Sequence, residues 1–126
     1  FYQQGFMQTL GAKLISIEKG LVKIECDFNK KLTQQHGYFH EGVLTSLADV
    51  ACGYAAHSMM PQGSNVLSVE FKINFIRAAK SDKIVATGKV IKSGKTLTFC
   101  EARVTDGDEN TLFATMQATM MCIKND

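Results

Sequence analysis

Residues 42–60 carry a single formally charged side chain, Asp49, and the chain's only proline, Pro61, follows at once. Small residues crowd this stretch, among them Ala48, Ala51, Gly53, Ala55 and Ala56. Proline cannot continue a helix, because it lacks the N–H and its ring clashes with the preceding turn. The pattern predicts a helix from about His40 to Met60, ~20 residues and ~30 Å long. It is apolar on nearly every side, so it should be a buried central helix rather than a surface one. Such a helix needs something to wrap it.

The flanks supply that wrapping. Val22, Ile24, Cys26 and Phe28 alternate with Lys23, Glu25 and Asp27, the period of a half-buried strand. Residues 12–18 form a second strand-like run before it, with Lys19-Gly20 as the hairpin turn between. A short helix over residues 1–9 opens the chain, with Phe6 and Leu10 on one face and Gly11 past its end. Residues 29–39 read as a polar loop. After the Gln62-Gly63-Ser64 turn, Leu67, Val69, Phe71, Ile73 and Phe75 interleave with Ser68, Glu70, Lys72 and Asn74. Three more strands follow at 84–92, 96–105 and 111–124, joined by Ser93-Gly94 and Asp106-Gly107-Asp108. Short connections favour antiparallel pairing. The expectation is one α+β domain over residues 1–126, a curved antiparallel sheet of about six strands around a long central helix. Its edge strands would stay open, and pairing two copies removes one edge from each, so a homodimer is expected.

Composition excludes several classes. With 45% hydrophobic and 21% charged residues the chain is not a disordered one. A net charge of +2 gives no reason to expect a nucleic-acid partner. No apolar run approaches the ~20 residues of a membrane helix. The first residues lack the basic and apolar regions of a signal peptide. Cys26, Cys52, Cys100 and Cys122 are scattered, with no CxxC pair, and read as small buried hydrophobes in a reducing, cytoplasmic compartment. His36 and His40 lack further ligands nearby, so neither a metal nor a cofactor is expected.

Asp49 is the chemical anomaly. A carboxylate in mid-helix is costly unless paired or hydrogen-bonded. Helical spacing puts Thr45, Ser46, Cys52 and Gly53 on its side. A structural bond to Thr45 or Ser46, or a partly solvated stripe, would satisfy it. A functional reading competes with these. The polar run Gln34-Gln35-His36-Gly37-Tyr38-Phe39-His40-Glu41-Gly42 enters the helix, whose free N–H groups and positive dipole end suit a developing negative charge. Asp49 lies ~12 Å further along the same helix, too far for both to reach one carbonyl. Two antiparallel helices at a dimer interface would bring Asp49 of one chain to the loop of the other. His40 sits at the helix entry, where it can cap or orient the loop. His57 reads as a satisfied or partly exposed helix residue.

The stretch from Gln34 to Asp49 resembles the signature of hotdog-fold acyl-CoA thioesterases of the PaaI-like family, and the order of elements matches over nearly the whole chain. The resemblance implies a homodimer with a continuous sheet, often a tetramer of two dimers, and an acyl-CoA substrate. It also implies roles. Asp49 falls on the catalytic carboxylate, which activates water or attacks the thioester. Glu41 falls on the residue whose backbone N–H polarises the carbonyl. His40 falls on the loop histidine, Gly42 on the glycine after it, and Gln34 where relatives often carry Asn. Glu41 in place of a small residue, and Gln34 in place of Asn, bear on substrate choice and rate. Leu47, Val50 and Tyr54 are candidates to line an acyl tunnel, although such residues are more often plain core. The 92–96 turn is a candidate for CoA phosphates against a stronger reading as a solvated hairpin.

Two other functions stay open at this stage. A hydratase or dehydratase on acyl thioesters would use a histidine together with Asp49. A non-catalytic acyl-CoA-binding module would need no turnover at all.

Overall fold

The computed structural model describes residues 1–124. Helix α1 (Gly5–Leu10) is followed by strands β1 (Ala12–Glu18) and β2 (Leu21–Asp27), helix α2 (Glu41–His57), and strands β3 (Ser64–Phe75), β4 (Lys83–Ser93), β5 (Leu97–Asp106) and β6 (Leu112–Lys124). All six strands join one antiparallel sheet in the order β1-β2-β4-β5-β6-β3. The expected α+β architecture, six strands around one long helix, is what the chain adopts.

Helix α2 lies across the sheet and closes the core. Leu44, Leu47, Ala48, Ala51, Cys52, Ala55 and Ala56 are buried against Val22, Ile24, Ile84, Ala86, Cys100 and Met120. Its small residues let the backbone come close to β4. A Cβ placed on Gly88 would stand 2.4 Å from the Ala51 carbonyl carbon and 2.7 Å from the Cys52 nitrogen. Only a glycine permits that approach. The helix ends at His57, earlier than the expected Met60. Ser58 caps it, and the Ser58 hydroxyl accepts from the Gly20 N–H at 2.7 Å, tying the helix end to the β1–β2 turn.

Several expectations change. Helix α1 begins at Gly5 rather than Phe1, because the first residues make tertiary contacts instead. The Phe1 ring packs on Tyr54, and the Tyr2 hydroxyl accepts from the Leu14 N–H. Met7 and Leu10 are buried while Phe6 is exposed. Phe28 lies past the end of β2 and is partly exposed, edge-on to buried Phe39 with ring centroids 5.5 Å apart. Most consequential, α2 is not buried all round. Thr45, Ser46, Asp49, Val50, Gly53 and Tyr54 form a half-exposed flank.

Strand β3 departs from its uniform alternation. Its pairing with β6 shifts between Ser68 and Glu70, which leaves Val69 as the extra residue of a bulge. Before the bulge, Val66 and Ser68 share a face with Cys122 and buried Met120. After it, Phe71, Ile73 and Phe75 share a face with Met116, Ala114 and Ala118, which are buried. The five alternating apolar residues therefore do not form one face, and Leu67 lies on the opposite face with Met121. β3 is an edge strand, and its Leu67, Val69, Phe71 and Phe75 are 54%, 53%, 41% and 42% exposed. Those values exceed what a buried face would show.

Candidate active site

The loop before α2 is held by its own hydrogen bonds. The Asn29 side chain caps a 3₁₀ turn, Lys30–Leu32, by accepting from the Lys31 N–H. Thr33 and Phe39 then bridge, and the His40 N–H donates to the Leu32 carbonyl at 2.8 Å. Gly37, with φ of 87°, makes the reversal between them. The Gln34 Oε1 accepts from the His36 N–H at 2.6 Å and the Tyr38 N–H at 3.2 Å. Gln34 is thus a brace inside the loop.

His40 is the N-cap of α2. Its Nδ1 accepts from the Gly42 N–H at 2.8 Å, so the neutral ring carries its proton on Nε2. The Val43 N–H donates to the His40 carbonyl. The cap consumes the Gly42 N–H and leaves the Glu41 N–H, which has no acceptor among the described residues. Gln34, Tyr38, Glu41, Leu44, Phe75 and Arg77 line a cavity of about 230 Å³ around this helix start, together with Phe39, Ala78 and Ala79. Arg77 was not anticipated here. It lies beyond β3 and arrives because β3 runs antiparallel to the helix.

Asp49 lies elsewhere. It lines a larger groove of about 590 Å³ with Val50, Gly53, Tyr54 and His57 of α2, Asn65, Val66, Leu67 and Ser68 of β3, and Gln4 and Ile123. The two cavities share no lining residue. Asp49 bonds to neither Thr45 nor Ser46, whose hydroxyls donate back to the Glu41 and Gly42 carbonyls. Its partner is Ser68, whose Oγ donates to Asp49 Oδ1 at 2.7 Å. The bulge turns Ser68 toward the helix, and no feature of the alternating sequence signals it.

Other candidates separate cleanly. Val50 and Tyr54 line the groove rather than serving as plain core, and Leu47 is fully buried core. Tyr54 accepts from the Gln4 side-chain amide at 3.1 Å. His57 lines the groove and its Nε2 is 2.8 Å from the Ser64 carbonyl, as a satisfied histidine would be. His36 is exposed in the loop. The 92–96 turn lines neither cavity. Among the described residues no group of three His, Cys, Asp or Glu side chains is placed to hold a metal, and no helix is long and apolar enough to cross a membrane.

A six-stranded antiparallel sheet of this order around one long helix, with a carboxylate on the open helix flank, is the hotdog arrangement. The sequence model of the thioesterase superfamily matches residues 36–113, and the chain belongs to that superfamily. It is similar to the 1,4-dihydroxy-2-naphthoyl-CoA hydrolase of Listeria monocytogenes, at 29% identity over 108 residues that cover 86% of this chain and 88% of that one. It is 32% identical to the acyl-coenzyme A thioesterase PaaI of Escherichia coli over 89 residues, 70% of this chain and 61% of that one. The crystal structure of a thioesterase family protein from Silicibacter pomeroyi superposes with a TM-score of 0.95 at 38% identity, covering 99% of this chain and 93% of that one.

Proposed function

We propose that residues 1–126 act as one hotdog domain that hydrolyses an acyl- or aroyl-CoA to the free acid and CoA, with each active site shared between two protomers. The single observation carrying this reading is the separation of the two half-sites. Asp49 with Ser68 occupies one groove, and the free Glu41 N–H beside Gln34 occupies another. The open edge of β3, with exposed Phe71 and Phe75, offers the surface on which a second copy would dock and bring Asp49 to its partner's helix start. A tetramer of two such dimers and a cytoplasmic location belong to the same reading, and the free thiols at Cys26, Cys52, Cys100 and Cys122 favour the location alone.

In this mechanism the Glu41 N–H, at the positive end of α2, stabilises the negative charge that develops on the thioester oxygen. Asp49 takes a proton from the attacking water, or itself bonds to the carbonyl carbon and is released by water afterwards. The C–S bond breaks and the sulfur leaves as a thiolate, which needs no strong acid because a thiol pKa is near ~8.5. His40 holds the helix start in register, and Gln34 braces the loop beside the cavity. The names of the curated relatives favour a CoA thioester as substrate. Asp49→Ala and Asp49→Asn should keep the fold and lower kcat for thiol release by about a hundredfold or more. Turnover near that of the wild type in both variants would sink the assignment.

A further inference from the structure

Two thiols meet in the core, where no step of the hydrolysis uses them. Cys52 on α2 and Cys100 on β5 are buried, at 0% and 1% exposure. The Cys100 thiol donates to the Cys52 carbonyl at 3.6 Å, and the two thiols are hydrogen-bonded to each other. The notch at Gly88 brings them together. There α2 comes down onto β4, two residues from Val90, the position that pairs with Cys100. The hydrogen bond from Cys52 holds the Cys100 thiol below its ordinary value, against the opposing pull of burial. A thiolate is the form that reacts with oxidants, and a second thiol within reach can resolve the product. Cys26 is placed differently. Its thiol donates to the Leu10 carbonyl at 3.2 Å, and burial pushes its pKa up.

We propose that Cys52 and Cys100 form an oxidation site, closed to a disulfide by a small hydroperoxide and reopened by a dithiol, and that the closed form slows the hydrolase. The Cys100 thiolate attacks one peroxide oxygen. The O–O bond breaks, and the hydroxide that leaves takes up the proton Cys100 gave, leaving a sulfenic acid. The Cys52 sulfur then attacks the Cys100 sulfur. The S–O bond breaks, and the departing hydroxide takes the Cys52 proton as water. Two thiols and one hydrogen peroxide give one disulfide and two waters, and the sulfurs lose the two electrons that the peroxide gains. Burial selects the oxidant by size. Hydrogen peroxide is little larger than water and enters on local opening of the core, whereas a glutathione-sized disulfide is held out. The link to turnover runs through the helix. Asp49 lies about one turn before Cys52 on α2. A bridge that draws α2 toward β5 shifts Asp49 relative to Ser68 on the edge strand β3. This effect on turnover rests on the hydrolase reading above, and the disulfide itself does not.

The test treats the reduced, native protein with hydrogen peroxide and then removes the oxidant. Peptide mapping by mass spectrometry is run beside a thiol-release assay. The expected result is a peptide pair joined through Cys52 and Cys100, lighter by two hydrogens, with turnover about tenfold lower in the joined protein. Dithiothreitol should reverse both changes. After the same treatment Cys52→Ser and Cys100→Ser should lack the link and keep their turnover, and Cys122→Ser should respond as the wild type does. A wild-type pair that stays reduced while the half-buried Cys122 is oxidised would overturn the proposal. So would a link that forms only in urea, or full turnover in the joined protein. A reduced wild type that releases no thiol from any acyl-CoA would instead defeat the hydrolase reading, and the peptide map would still decide the oxidation site.

Discussion

The Ser68 hydroxyl donates to Asp49 Oδ1 at 2.7 Å, across the gap between the edge strand and the central helix. The same hydroxyl lies 3.4 Å from the Met120 sulfur. Ser68 therefore holds one oxygen of a carboxylate that lines the groove. It is a positioning residue, and its loss should appear in turnover rather than in binding. Ser68→Ala is expected to lower kcat about tenfold with KM within about twofold, and Ser68→Thr to restore most of the loss. Steady-state kinetics of both variants check this, and an equal change in kcat and KM would argue for a different role.

Glu41 separates backbone from side-chain chemistry. Its N–H is the free donor at the helix start, while its carboxylate accepts no hydrogen bond among the described residues. Proline is well tolerated at the first position of a helix, and His40 has the extended backbone, ψ of 138°, that a following proline requires. Glu41→Pro should therefore fold yet lose about a hundredfold in kcat, while Glu41→Ala stays within about threefold of the wild type. Circular dichroism and a thiol-release assay on both variants decide it. Comparable rates for the two would remove the N–H from the mechanism.

Gly88 sets how closely the helix sits on the sheet. A methyl group there meets backbone atoms of Ala51 and Cys52, which cannot rotate away. Gly88→Ala should cost about 3 kcal/mol, seen as a lower urea midpoint, because the helix must lift off β4. Asp49 and Ser68 would be pulled apart by the same movement, so residual activity should fall below the folded fraction.

One buried thiol makes stability fall at alkaline pH. Burial and the charge of Asp27 push Cys26 from 9.0 up to about 11. Below pH 9 both the folded and unfolded chains keep this proton, so the thiol contributes nothing to the pH dependence. Above it the unfolded chain releases the proton first, and stability drops by about 1.4 kcal/mol per pH unit until the folded value is reached. Urea unfolding under reducing conditions from neutral pH to about pH 11 should show this, and Cys26→Ala should flatten part of the fall.

The helix was legible in the sequence because Pro61 and the small-residue run leave few alternatives, and the strands because charge alternates with apolarity along β2 and glycine-containing turns separate the later runs. The chemistry was legible as far as it sat on one element, from Gln34 through His40 and Glu41 to Asp49. Ser68 was not, since a bulge arises from how two strands pair, and nothing in the regular run 67–75 records it. The open flank of α2 was legible only as an alternative, a partly solvated stripe beside Asp49, and its extent was not. Thr45, Gly53 and Tyr54 look as apolar or as small as the buried Ala48 and Ala51, and only the position of the sheet distinguishes them. Arg77 and Gln4 reach the two cavities from distant points in the chain, which no local pattern can report.

The shared site can be tested by mixing two inactive chains. In a two-fold dimer each site would take Asp49 from one protomer and Glu41 from the other. A mixed dimer of Asp49→Asn and Glu41→Pro then has one site carrying both lesions and one carrying neither. Random exchange makes half the dimers mixed, so unfolding and refolding the two variants together should restore about one quarter of wild-type turnover. Each variant refolded alone should stay inactive. If both groups acted within a single chain, every site in the mixture would keep one lesion and no activity would return. Recovered turnover near a quarter therefore establishes that two chains build each site, and its absence in a mixture shown to contain mixed dimers rules that out.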